Sequence, residues 1–74
     1  MKIKFLIFES RVDTDEYSFI NPQDAIDFFN KRGYGMHNWN IFIQFEDNNH
    51  TSIELRMFNY ITDNWNKLNS SEGV

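Results

Sequence analysis

The sequence predicts an α+β domain in which an antiparallel sheet of three to four strands carries two helices on one face, in the order ββαββα. Three observations predict it. Apolar residues alternate along residues 2–9, 38–46 and 51–58; helix-start and helix-stop signals bracket residues 21–33; and a short stripe at helical spacing closes the chain. Seventy-four residues make one domain, with the small polar segment 69–74 expected to fray. A chain this short buries only about 60% of its unfolded surface, so its 18% aromatic content is read first as a way of building a core from few residues.

In the first strand, residues 2–9, the alternation places Ile3, Phe5 and Ile7 on one face and Leu6 and Phe8 on the other. Apolar residues on both faces mark it as central or covered on both sides. Asp13-Thr14-Asp15 reads as a turn and Tyr17-Ser18-Phe19 as a short second strand. The first helix has the strongest local signal. Asn21 caps it, Pro22 suits its first position, Asp24 completes a variant capping box, Lys31 and Arg32 suit the carbonyl end, and Gly33 stops it. Ala25, Ile26, Phe29 and Arg32 fall on one side; Asp24, Asp27 and Lys31 fall on the wet side.

Residues 38–46 set Trp39, Ile41, Ile43 and Phe45 against Asn38, Asn40, Phe42, Gln44 and Glu46. Residues 51–58 set Thr51, Ile53, Leu55 and Met57 against Ser52, Glu54, Arg56 and Phe58. The two segments predict a hairpin around Asp47-Asn48-Asn49-His50. Both inward sets are odd-numbered, so paired residues must sum to an even number and the loop must be odd. This predicts three loop residues, with an Asn in the left-handed conformation. Thr62 is expected to cap a last short helix carrying Ile61, Trp65 and Leu68.

The chain has no cysteine, which excludes disulfides, thiolate metal sites and a thiol nucleophile. Its net charge of -4 opposes nonspecific attraction to nucleic acid or to an anionic membrane and favours partners with a basic surface. The first apolar run is too short for a signal core and far too short to span a bilayer, so a cytoplasmic location is expected.

His37 and His50 are the only imidazoles and stand thirteen positions apart without carboxylates at ligand spacing. Asp13-Thr14-Asp15 opens like a calcium loop, which then fails at Tyr17 and Ser18. Arg32-Gly33-Tyr34-Gly35 matches the opening of the RNA-recognition-motif signature, but Met36 and His37 break it, and the match begins at a helix end. Gly33 and Gly35 are read as backbone punctuation. No serine lies in a nucleophile elbow, and no glycine-rich loop leads from strand to helix. The expectation is a protein without enzymatic activity, metal or cofactor.

If the helices cover the face of Ile3, Phe5, Ile7, Trp39, Ile41 and Ile43, the opposite face still presents Leu6, Phe8, Phe42 and Phe58 among Asn40, Gln44, Glu54 and Arg56. Exposed aromatics beside Arg suit a protein interface. The expected partner-binding residues are therefore Phe8, Asn40, Phe42, Gln44, Glu54, Arg56 and Phe58, joined by the acidic group Asp13, Asp15 and Glu16. Size, charge and the lack of catalytic groups suggest an inhibitor or antagonist that blocks a partner protein's surface. Phage-encoded inhibitors of bacterial defence or nucleic-acid enzymes, immunity proteins and antitoxins are of this kind, by analogy only. Two alternatives remain: a homo-oligomeric assembly protein using the second sheet face, and a single-stranded nucleic-acid binder stacking bases on Phe8, Phe42 and Phe58 beside Arg56.

Overall fold

The computed structural model describes residues 2–69. The chain forms β1 (Ile3–Ser10), β2 (Glu16–Phe19), α1 (Pro22–Arg32), a 3₁₀ turn (Met36–Asn38), β3 (Trp39–Phe45), β4 (His50–Ile53), α2 (Leu55–Asp63) and a terminal turn of helix, α3 (Trp65–Leu68). The four strands form one antiparallel sheet in the order β2-β1-β3-β4. This is the expected α+β architecture, with the last helix divided in two. No helix among the described residues is long and apolar enough to cross a membrane.

The first helix forms as its signals predict. Asn21 Oδ1 accepts the Asp24 backbone N–H at 2.9 Å, and the Asn21 side-chain Nδ2–H donates back to the Asp24 carboxylate at 3.3 Å. At the other end Gly33 takes a left-handed φ of 72°, so that its N–H reaches Asn30 O and the Tyr34 N–H reaches Phe29 O, closing a Schellman motif. The β3–β4 hairpin also follows the parity argument: Ile41 pairs with Ile53, Ile43 with Thr51 and Gln44 with His50. Phe45 N–H donates to Asn49 O at 2.8 Å across a three-residue loop, and Asn48 is the residue with positive φ, 71°.

Two expectations are overturned. The first concerns which face of β1 is inside. Ile3 pairs with Phe45, yet Phe5 pairs with Gln44, so the register slips by one residue at Lys4. After that irregularity Leu6 and Phe8, not Phe5 and Ile7, face the helices, opposite Ile43 and Ile41 of β3 and opposite Phe19 and Tyr17 of β2. Leu6 and Phe8 are fully buried. The second concerns residues 54–58, which are not strand. β4 stops at Ile53, Glu54 is the extended residue before α2, and Leu55, Phe58 and Ile61 follow at helical spacing with Phe58 and Ile61 buried. Thr62 consequently lies inside α2, where its hydroxyl donates to Phe58 O at 2.8 Å instead of capping a helix.

The core lies between one sheet face and the helices: Leu6, Phe8, Ala25, Phe29, Trp39, Ile41, Ile43, Phe58 and Ile61. Phe8 sits at its centre, with ring centroids 4.8 Å from Phe29, 5.6 Å from Phe58 and 5.9 Å from Phe19. Of the expected tail, Asn69 is tied back to the sheet, its Oδ1 accepting the Ile3 N–H at 2.9 Å. Residues 70–74 lie outside the described residues.

Candidate functional site

Because both long helices pack on the Leu6–Phe8 face, the other face of the sheet has no layer over it among the described residues. Alternation along each strand places Phe5, Ile7 and Glu9 of β1 on that outer face, with Glu16 and Ser18 of β2, Asn40, Phe42 and Gln44 of β3, and His50 and Ser52 of β4. The pairing arranges them in rows. Ser18, Ile7, Phe42 and Ser52 run straight across the four strands; Glu16, Glu9 and Asn40 form the row toward one end, and Phe5, Gln44 and His50 lie toward the other.

The centre of this face is apolar and its borders are polar. Phe5, Ile7 and Phe42 are half-buried, since they shield one another but no described element caps them. The His50 ring meets Phe42 edge-on at 6.5 Å, and the Lys4 ammonium stands 5.6 Å from the Phe5 ring centroid. Ile7, Phe42, Gln44 and His50 line a shallow hollow of about 170 Å³ together with Glu9 and Glu16. Those two carboxylates are direct cross-strand partners, and neither is ion-paired among the described residues. Arg11, near the same end, donates its Nε–H to Asn40 Oδ1 at 3.1 Å. Beyond it, the β1–β2 connection adds Asp13 and Asp15, where Asp13 Oδ1 accepts the Asp15 N–H at 2.9 Å. One end of the outer face is therefore acidic, while the other carries Lys4 and His50.

The expected partner-binding set divides among three places. Asn40, Phe42, Gln44 and Glu16 share the outer face, with Asp13 and Asp15 at its acidic end. Glu54 and Arg56 stand at the β4–α2 junction, as an ion pair of 3.4 Å whose side chains are 81% and 90% exposed. Phe8 and Phe58 are not on a surface at all, being fully buried against each other in the core. For Phe8 the reason is the register slip at Lys4; for Phe58 it is that helical geometry turns residue 58 onto the core side of α2. With two of its three rings inside, the base-stacking surface is reduced to Phe42.

Sequence reasoning missed Phe5, Ile7, Glu9 and His50 on the outer face. It also missed a second apolar surface, a groove of about 560 Å³ beside β4, lined by Ser52, Ile53, Met57 and Tyr60 and rimmed by Glu54 and Arg56. Met57 and Tyr60 are 47% and 57% exposed. A signal for it was available: the stripe Leu55, Phe58, Ile61, Trp65, Leu68 has spacings of three and four, which would have turned Met57 and Tyr60 outward.

Among the described residues no group of three or more His, Cys, Asp or Glu side chains could hold a metal ion. His37 belongs to the 3₁₀ turn and His50 to the start of β4. Asp24 and Asp27 lie on α1, on the opposite layer from the outer face, where Asp27 accepts the Gln23 side-chain amide at 2.9 Å. No protein-family model, curated protein or solved structure matches the chain.

Proposed function

We propose that this protein is a binding module without enzymatic activity that inhibits or antagonises another protein by lying across its surface. The observation that carries the reading is the sheet face that no described element covers, with half-buried Phe5, Ile7 and Phe42 at its centre and the carboxylates Glu9 and Glu16, without an ion pair among the described residues, beside them. An apolar centre with a polar rim is the anatomy of a protein interface. The acidic end, extended by Asp13 and Asp15, suits a partner with a basic surface such as the phosphate-binding cleft of a nucleic-acid enzyme. Inhibition then needs no chemistry. The rigid sheet supplies a flat, pre-ordered surface, the apolar stripe supplies desolvated contact, and the carboxylates steer the encounter and exclude phosphate from the sites they occupy. The same carboxylates beside Phe42 disfavour stacking of nucleic-acid bases on this face.

The test is affinity capture from the native host with the full chain, followed by titration of the purified partner. Ile7→Ser with Phe42→Ser is expected to weaken binding by more than about tenfold, and Glu9→Lys to weaken it chiefly at low salt. Gln23→Ala, on the helical layer, should bind as the wild type does. Equal binding by the folded Ile7→Ser/Phe42→Ser protein would refute the reading.

A further inference from the structure

The sheet ends in two edge strands of different character. β2 carries Glu16, whereas β4, His50-Thr51-Ser52-Ile53, has no carboxylate, lysine or proline within it. Charge and proline are the usual means of keeping an edge from pairing with another chain. The hairpin also determines which backbone groups of β4 are free. Phe45 N–H bonds to Asn49 O, so Asn49 faces β3, and by the alternation of an antiparallel ladder Thr51 and Ile53 face it too. His50 and Ser52 therefore direct their N–H and C=O groups away from the sheet, where the Ser52 C=O accepts the Thr51 hydroxyl at a long 3.5 Å, and Glu54, still extended at φ -89° and ψ 162°, directs its N–H the same way.

We infer that β4 is a self-association edge that pairs antiparallel with β4 of a second copy, about a two-fold axis at Ser52, to give a continuous eight-stranded sheet. Three features favour a second copy as the occupant. First, the backbone is self-complementary in this register: Ser52 exchanges both bonds with Ser52 of the second copy, and the Glu54 N–H reaches the His50 carbonyl across the axis. Second, the side chains are complementary as hydrogen-bond donor and acceptor. The pairing sets Glu54 of each copy opposite His50 of the other, so the two-fold creates two carboxylate–imidazole contacts. The existing Glu54–Arg56 pair is too exposed to hold Glu54 back. Third, the apolar groove lies along the same edge. A two-fold normal to the sheet keeps both sets of helices on one side, so α2 of each copy faces the other above the new strand pair. Met57 and Tyr60, 47% and 57% exposed among the described residues, then bury each other across the axis.

This association leaves the outer face open and does not rest on the reading of that face. Sedimentation velocity across a series from low micromolar to millimolar concentration tests it. The mass of the wild type should rise from 9.0 kDa toward twice that value. Ser52→Pro removes an N–H that has no partner among the described residues and should raise the dissociation constant by more than about tenfold. Met57→Glu, on the exposed side of α2, should do the same and provides the decision should the proline variant fail to fold. His50→Glu alone should weaken the dimer, and adding Glu54→Lys should restore it, which a dimer of any other register would not show. A wild type that stays monomeric throughout overturns the inference. So does a dimer undiminished in both folded Ser52→Pro and Met57→Glu.

Discussion

Phe8 gives the sharpest test of this fold, because the unbroken alternation of its strand places it on the outer face and the register slip at Lys4 places it in the core. Its ring is fully buried and within 6 Å, centroid to centroid, of Phe29, Phe58 and Phe19. Truncating such a ring to Ala removes its burial and leaves a cavity, at a cost of about 3–5 kcal/mol. A domain of this length is stable by about 4–11 kcal/mol at the usual 0.05–0.15 kcal/mol per residue, so Phe8→Ala should leave a marginal or unfolded protein. The milder Phe8→Leu keeps apolar bulk but gives up the edge-on ring contacts, about 1–2 kcal/mol, and should lower the Tm by about 4–16 °C. Phe42, partly exposed on the outer face, should cost about 1–2 kcal/mol when changed to Ala, and well under about 1 kcal/mol when changed to Leu. Urea unfolding followed by far-UV circular dichroism and tryptophan fluorescence measures both series, with an unchanged slope confirming two-state comparison. A Phe42→Ala protein as destabilised as Phe8→Ala would refute the assignment of faces, and a well-folded Phe8→Ser protein would refute it more directly.

Four further outcomes follow from local geometry. Asn21→Ala removes the acceptor for the Asp24 N–H and should cost about 1 kcal/mol, while Asn21→Ser keeps most of it; thermal melts distinguish them. Asn48 holds a φ of 71°, so Asn48→Gly should be neutral or slightly stabilising, whereas Asn48→Val should lose about 1–2 kcal/mol by the same measurement. Asn69→Ala strips the Ile3 N–H of its partner, and hydrogen exchange at the Ile3 amide should accelerate with a loss of about 1 kcal/mol in global stability. Glu16→Lys turns a like-charged cross-strand pair with Glu9 into an opposite-charged one, and should raise stability by about 0.2–1 kcal/mol at low salt while weakening the proposed partner.

What could be read from the sequence was what local chemistry determines. Asn21-Pro22 and Gly33 bound α1 through capping bonds formed within a few residues, and the β3–β4 loop length followed from parity because a hairpin register is set by its own turn. The face of β1 could not be read this way. Its residues are apolar on both sides, and the slip at Lys4 involves no glycine and depends on how β1 meets β3, some forty positions later in the chain. Residues 53–58 were ambiguous for another reason. Ile53, Leu55 and Met57 fit a period of two as well as Leu55, Phe58 and Ile61 fit a helix, and only the continuation to Trp65 and Leu68 separates the patterns. These two errors moved Phe8 and Phe58 out of the candidate site. Asn40, Phe42 and Gln44 stayed in it because β3 was correctly phased.

The high aromatic content then has a division of labour that follows from the size of the chain. Phe8, Phe19, Phe28, Phe29, Phe58, Tyr17, Tyr34 and Trp39 form one connected set of ring contacts, which lets a single layer of helix seal one side of the sheet. With the helices committed to that side, the described chain has no element left for the other. A bare sheet face is then a consequence of economy, and polar residues would suffice there, as Ser18 and Ser52 do on the two edge strands. The central strands instead carry Phe5, Ile7 and Phe42, which sheet formation alone does not require. The apolar stripe is concentrated on the two central strands, β1 and β3, which is where a surface that must bind without rearranging would hold its contacts.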